Sequence, residues 1–294
     1  MSTTKNILIS GATGLIGRTI CPLLGSKGHT VKQLSRSRGD YLWKPDVGEI
    51  DPAALDNIDT VIHLAGETVA QRWTSAAKRR IMDSRVKSSE LLVKEILKRD
   101  HMISYIAASG ISYYGFQQGA PVGEASPLGA GFLAEVSSRW EAAAKPLIEN
   151  GSRCVFVRTG VVLSPEGGAL AKLLPPFKAG LGGKVGSGEQ MMSWISLHDL
   201  VRIYLHCVED EGLAGAVNAV SPHAVSNLDF TKALGVALKR PTVVPLPAIA
   251  VNILFGEMGR ETILSDLNVQ PNRLESIGFQ WEHDEINDAL QNIL

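Results

Sequence analysis

The sequence predicts an α/β fold, a doubly wound parallel sheet with a small, mostly helical C-terminal lobe. Three observations predict it. The run Asn6–Ser10 is almost wholly apolar, ends in Gly11, Gly14 and Gly17, and opens into a helical pattern. Strand-like and helix-like segments then alternate as far as Leu163. After that the regularity loosens, through a glycine-rich AGLGGKVGSG run and a proline-rich link, Pro241–Pro247, into further helices.

The first run reads as a central strand buried on both faces. Residues Thr13 to Gly25 follow with helical spacing through Leu15, Ile16, Ile20, Leu23 and Leu24. A strand that stops in a glycine turn opening a helix presents unpaired N–H groups and the positive end of a helix dipole, which suits a phosphate. Glycine lets a pyrophosphate approach the backbone closely. The common two-glycine fingerprint needs glycine where this chain has Ala12, and a triphosphate P-loop needs Lys after its last glycine, where Arg18 stands. What remains is GxxGxxG, a dinucleotide cradle.

A second strand, His29–Leu34, delivers Ser35-Arg36-Ser37-Arg38 to its C-terminal end. An acidic residue there accepts from a ribose 2′-hydroxyl, whereas arginine accommodates a 2′-phosphate. The acid is missing, so the cofactor expected is NADP(H), with Ser35 and Arg36 as phosphate contacts.

Tyr41–Trp43 suggests a third strand, and Asp51-Pro52 starts a short helix. Asp59–Leu64 reads as the fourth strand, and the small pair Ala65-Gly66 leaves room for adenine and ribose at its end. Thr74–Lys98 has one apolar helical face, fit either to pack on the sheet or to join a homodimer, so monomer and dimer both stay open. The fifth strand, within His101–Ser109, ends at Ser109. Ligands gather at such ends, so Ser109, Tyr113 and Tyr114 are the catalytic candidates, with Glu124, in the loop Glu124–Pro127, a weaker acid or base. Gly131–Glu149 reads as one helix and Arg153–Thr159 as the sixth strand. Met192–Ile195 looks like a small strand, and Ser196 with Asp199 resembles a capping box for a helix over Leu197–Val208. Ala216–Ala219 is another short strand. The glycine run within Gly167–Gly188 reads as too flexible for a core.

The chain has 294 residues, a net charge of −1, and no basic cluster along one face, so nucleic acid is not an expected partner. Its longest apolar stretch, Val243–Phe255, is broken by Pro245, Pro247 and Asn252, so no membrane span is expected. Cys21, Cys154 and Cys207 lie far apart inside expected elements, as buried thiols of a reducing compartment do. The opening residues carry no signal-peptide pattern, and a cytoplasmic location is expected. The seven histidines form no metal motif, and no metal is expected.

In order, GATGLIG, DTVIHLAGE, the serine-ended fifth strand, VRTGVVL and SWISLHDL resemble an extended short-chain dehydrogenase/reductase of the NAD-dependent epimerase/dehydratase type. SRVKSSELL, FLAEVSSRWEAAA, GGALAKLLPPF, GSGEQMMSWI and the FGEMG tail resemble an atypical, epimerase-like subfamily. The resemblance implies an NAD(P)-binding Rossmann domain over 1–165 with 190–220, and a substrate lobe over 166–189 with 221–294. It implies a cofactor site of Gly11, Thr13, Gly14, Leu15, Ile16, Ser35, Arg36, Leu64, Ala65 and Gly66. It also implies a cleft for a small-molecule substrate near Ser109, Trp194 and the glycine-rich loop. The superfamily's YxxxK pair is missing, because Phe132 and Val136 stand in the matching segment. Two activities follow as alternatives: an epimerase-like or carbonyl-reductase-type oxidoreductase with a non-standard site, or an NADPH-binding sensor or scaffold without turnover.

A charge-assisted hydrogen bond contributes on the order of 1.5–3 kcal/mol. Arg36→Glu is therefore expected to reverse the NADPH-over-NADH preference by at least ~10-fold. Calorimetry with both nucleotides checks this, and equal affinities of the unaltered protein for the two would refute the preference itself.

Overall fold

The first strand sets the architecture by sending alternate side chains to opposite faces. Ile7 and Ile9 of β1 (Asn6–Ser10) enter one apolar cluster and Leu8 enters another, so both faces are covered. The computed structural model describes residues 4–116 and 119–294. After β1 come α1 (Leu15–Ser26), β2 (Thr30–Ser35), β3 (Tyr41–Lys44), β4 (Glu49–Ile50), β5 (Thr60–His63), α2 (Ser75–Ile96) and β6 (Ser104–Gly110). Next are α3 (Phe132–Ala142), α4 (Lys145–Glu149), β7 (Cys154–Thr159), β8 (Val161–Leu163), α5 (Gly168–Lys178), β9 (Met191–Met192), β10 (Trp194–Ser196), α6 (Leu197–Glu209) and β11 (Gly215–Ala219). The chain continues through β12 (Val225–Ser226), α7 (Asn227–Leu238), α8 (Ala248–Met258), α9 (Asn272–Ser276) and α10 (Ile286–Ile293).

The main sheet runs β11-β7-β6-β5-β1-β2-β3-β4, parallel throughout except for the β3–β4 pair. Because β1 lies between β2 and β5, the winding reverses there and opens a crevice beyond the C-terminal strand ends. Helices α1 and α6 cover one face through Ile20, Leu24, Leu200 and Ile203. Helices α2 and α4 cover the other through Leu91, Leu92, Ile96 and Leu147. The apolar stripe of α2 therefore packs on the sheet. A third cluster joins α5, α7 and α10 around Phe177, Phe230 and Leu290. Among the described residues no helix is long and apolar enough to cross a membrane.

Some local expectations change. The strand over 59–64 is the fifth, because the two-residue β4, too short to show a period, pairs with β3 before it. The helix expected over Gly131–Glu149 is two, α3 and α4, interrupted at Ala143-Ala144; Pro146 sits in the first turn of α4, where no N–H partner is lost. The glycine run is packed, not loose. Gly182 and Gly188 are buried, and a Cβ on Gly183 would lie 2.0 Å from the Val244 carbonyl oxygen. The expected capping box at Ser196 is present in one half: its hydroxyl accepts from the Asp199 N–H at 2.9 Å, while Asp199 accepts from the N–H groups of Glu282 and His283.

Helix α3 begins at Gly131, which has no side chain to cap it. Its free N–H groups are met from far along the chain. Glu261 is buried, and its carboxylate accepts from Phe132 N–H at 2.8 Å and Leu133 N–H at 2.9 Å. An anion at a helix N-terminus is favoured by both the hydrogen bonds and the dipole. Glu261→Ala is expected to lower stability by about 2 kcal/mol, and Glu261→Gln by less. Urea unfolding of both variants checks the order; equal losses would remove the carboxylate charge from the account.

Candidate functional site

At the C-terminal end of β1 the chain turns through Gly11 at φ +79°, and a Cβ there would stand 2.9 Å from the Ala65 amide nitrogen. A Cβ on Gly17 would stand 2.3 Å from the Gly11 carbonyl oxygen. The glycines thus let the first turn, the start of α1 and the end of β5 meet backbone to backbone. Helix α1 begins at Gly14 with no side-chain cap and no acidic residue in its first turn, which leaves N–H groups and a positive dipole end for a phosphate.

A cavity of about 320 Å³ lies over these strand ends. Gly11, Thr13 and Gly14 form its floor, Ser35 and Arg36 one side, and Leu64, Ala65 and Gly66 the other. Leu15 and Ile16 do not line it. The Leu15 side chain faces Gly167, and Ile16 packs on the main core, so these two can offer only backbone N–H groups. Ser35 shapes the turn, its hydroxyl accepting from the Ser37 and Arg38 N–H groups at 3.4 and 3.3 Å. The exposed Arg36 guanidinium has no hydrogen bond or ion pair among the described residues. An uncommitted guanidinium at the end of β2, beside a glycine cradle, fits a dinucleotide carrying a 2′-phosphate.

The sequence reading missed several lining residues, among them Trp43, Asp46, Glu67, Ser84 and Ser88. Beneath them His63 is fully buried. Its Nδ1 lies 2.5 Å from the Ser10 hydroxyl and its Nε2 lies 2.9 Å from the Ser88 hydroxyl. Ser88 donates to the Ser84 carbonyl at 2.6 Å, so it accepts from Nε2–H, and Ser10 donates to Nδ1. Burial, reinforced by the Arg85 charge, pushes the His63 pKa from 6.5 down to about 3. Arg85 was also missed. It donates to the Glu67 and Ile81 carbonyls at 2.9 and 3.1 Å and lies over Trp140 at 5.0 Å, and Gly66 leaves it room. A cation in the middle of the inward stripe of a helix was the signal.

The catalytic candidates converge elsewhere, on Arg158. Its guanidinium is 4% exposed and grips Glu141 through two hydrogen bonds, at 2.8 and 2.7 Å. Burial opposes its charge, but the bonds to Glu141 outweigh that and its pKa is raised. Ser109 donates to the same carboxylate at 2.7 Å. Tyr114 is fully buried; it accepts from Arg158 at 2.9 Å, donates to Asn218 Oδ1 at 2.7 Å, and has its pKa raised by burial. Tyr113 is half-buried, with Arg158 3.4 Å from its ring centroid. Glu124 accepts from the Asn218 and Arg273 N–H groups at 3.0 and 3.3 Å, as a strut between a loop, β11 and α9. Trp194, expected at the cleft, is corrected to a core residue: it is fully buried and its indole N–H donates to the His223 carbonyl. Tyr114, too, is fully buried, with its hydroxyl held between Arg158 and Asn218. Phe132 starts α3 with its ring 5.0 Å from that of Trp73 and 4.7 Å from Lys78 Nζ, which pairs with Glu257 at 2.6 Å. Val136, one turn on, is buried, and neither phenylalanine nor valine has a group that can transfer a proton.

A doubly wound sheet with a glycine cradle at its switch point defines a Rossmann-type dinucleotide-binding protein. Residues 7–219 match the NAD dependent epimerase/dehydratase family, and residues 246–293 match a domain of unknown function, DUF1731. The chain belongs to the NAD-dependent epimerase/dehydratase family, within the extended short-chain dehydrogenase/reductase superfamily. Epimerase family protein Mb2239 of Mycobacterium bovis is 40% identical over 97% of this chain and 96% of its own length. The crystal structure of human epimerase family protein SDR39U1 (isoform 2) with NADPH is 34% identical, covers 98% of both chains, and has a TM-score of 0.90. That of a nucleoside-diphosphate sugar epimerase from Corynebacterium glutamicum is 31% identical with a TM-score of 0.84, over 99% of this chain and 58% of that one.

The buried His63 makes a pH prediction. Its folded pKa is depressed, so the unfolded chain takes up a proton first as pH falls. The stability associated with neutral His63 is complete above 6.5 and is lost progressively toward about 3. The slope reaches at most about 1.4 kcal/mol per pH unit. Urea unfolding across this window is expected to give a flatter profile for His63→Gln, and an unchanged slope would assign acid sensitivity to other groups.

Proposed function

We propose that this protein binds NADP(H) in the cavity over β1, β2 and β5. The uncommitted Arg36 beside the glycine cradle carries this reading, and the NADPH-bound human relative supports it. Thr13, Gly14, Leu15 and Ile16 hold the pyrophosphate through backbone N–H groups, Ser35 and Arg36 hold the 2′-phosphate, and Leu64 to Gly66 bound the adenosine. NADP(H) supplies or accepts a hydride at a carbonyl or carbinol carbon.

The activity we propose is that of an epimerase-like or carbonyl-reductase-type oxidoreductase acting on a small molecule. Residues 1–165 with 190–220 form its nucleotide-binding unit, and 166–189 with 221–294 form its substrate lobe. The third apolar cluster gathers α5, α7 and α10 of that lobe and is closed by Leu163 and Trp194 of the nucleotide-binding unit, so the two units are packed together. Tyr113 is the proton donor or acceptor, because Ser109 and Tyr114 already commit their hydroxyls to Glu141 and Asn218. The three free cysteines, two of them buried, support a reducing, cytoplasmic setting. Binding without turnover, as in a redox sensor or scaffold, is the second reading. The same committed hydroxyls, with Phe132 and Val136 at the start of α3, favour it.

Fluorescence of bound NADPH during exposure to carbonyl compounds and nucleotide sugars separates the two. Oxidation by the unaltered protein is expected, with Tyr113→Phe slower by about 10²-fold or more at unchanged NADPH affinity. Tight binding with no oxidation by any compound would select the second reading.

A further inference from the structure

Beside the nucleotide cavity lies a second one of about 360 Å³, and the two share Arg36, Asp46, Glu67 and Ser84. Its far side is the first turns of α2, which bring Arg79 and Arg80 to the same space. The charges there are not equivalent. Arg80 donates to Gln71 at 3.1 Å and approaches Glu67 at 3.8 Å, and Asp83 is taken by Lys87 at 2.8 Å. Arg79 is exposed and, like Arg36, has neither hydrogen bond nor ion pair among the described residues. Two uncommitted guanidinia thus border one space, one from the turn after β2 and one from α2. Asp46 is the remaining carboxylate; it opposes an anion, and as a pure acceptor it suits a hydroxyl or exocyclic amine of the same nucleotide.

We propose that Arg79 is a second anchor for the 2′-phosphate of NADP(H), reaching it from α2 while Arg36 reaches it from the turn after β2. The inference rests on the NADP(H) reading above. A phosphate dianion has oxygens enough for two guanidinia, and paired arginines recognise it better than one. A single arginine at the end of β2 would then understate the selectivity of this chain.

Calorimetric titration of the full-length protein with NADPH and with NADH tests this, using Arg79→Ala, Arg36→Glu, and Lys94→Ala as an exposed control elsewhere on α2. The expected result is that Arg79→Ala weakens NADPH binding by about tenfold, while NADH binding and the Lys94→Ala variant stay unchanged. Retention of part of the affinity by Arg79→Lys would support the charge as the working feature. If Arg36→Glu abolishes the preference while Arg79→Ala leaves NADPH affinity intact, the second anchor is overturned and the cofactor reading stands. Equal weakening of NADH and NADPH by Arg79→Ala overturns it too, by placing the contact on a part common to both. If the unaltered protein binds the two equally, the cofactor reading itself fails, and the anchor fails with it.

Discussion

The buried ion pair of Arg158 and Glu141 is the interaction around which the site is arranged. A guanidinium withdrawn from water to this degree is tolerated only when its donors are nearly all met, and here Glu141 on α3 takes two of them and the Tyr114 hydroxyl a third. The consequence spreads along hydrogen bonds. Ser109 at the end of β6 turns inward to Glu141, Tyr114 turns inward to Asn218, and Asn218 holds Glu124 through its backbone. One pair therefore fixes three strand ends and the start of a loop relative to one helix. It also holds the ring of Tyr113, which packs on the Arg158 guanidinium, while the Tyr113 hydroxyl has no hydrogen-bond partner among the described residues.

Much of the frame was legible in the residues. Apolar runs located β1, β5, β6 and β7, because these strands are buried on both faces and read as continuous runs. The glycine turn after β1 and the Ser35-Arg36 turn after β2 were legible for a different reason: glycine spacing and the missing acid are properties of single positions and need no knowledge of the fold. Tyr114 drew attention by its place after a strand end and Trp194 through the family resemblance, and the structure buries both side chains completely. Sequence position puts a residue at an end, while rotamer and neighbours decide whether it faces the crevice or the core.

His63 and Arg85 show the other limit. Each looks like an ordinary polar residue within an apolar segment, and nothing local says that one is held neutral between two serines or that the other is laid over Trp140. Ser10 and Ser88 lie on β1 and α2, and Trp140 lies on α3, so the packed fold is what brings these partners together. The glycine run at 180–188 failed for a related reason. Glycine signals flexibility when nothing is near it, yet it is also the residue that allows two backbones to touch, as Gly183 and Val244 do.

The capping of α3 by Glu261 bears on how the chain assembles. A helix that begins at Phe132 receives its terminal hydrogen-bond partner from a residue 129 positions later. The start of α3 therefore stays unfinished until residue 261 has been synthesised and has folded back. The segment matched to the domain of unknown function thereby supplies the N-terminal hydrogen-bond acceptor of α3. Separating the two by truncation would leave a helix next to the crevice with open N–H groups, and a fragment chosen on domain boundaries alone would be a different molecule at the place where chemistry is expected.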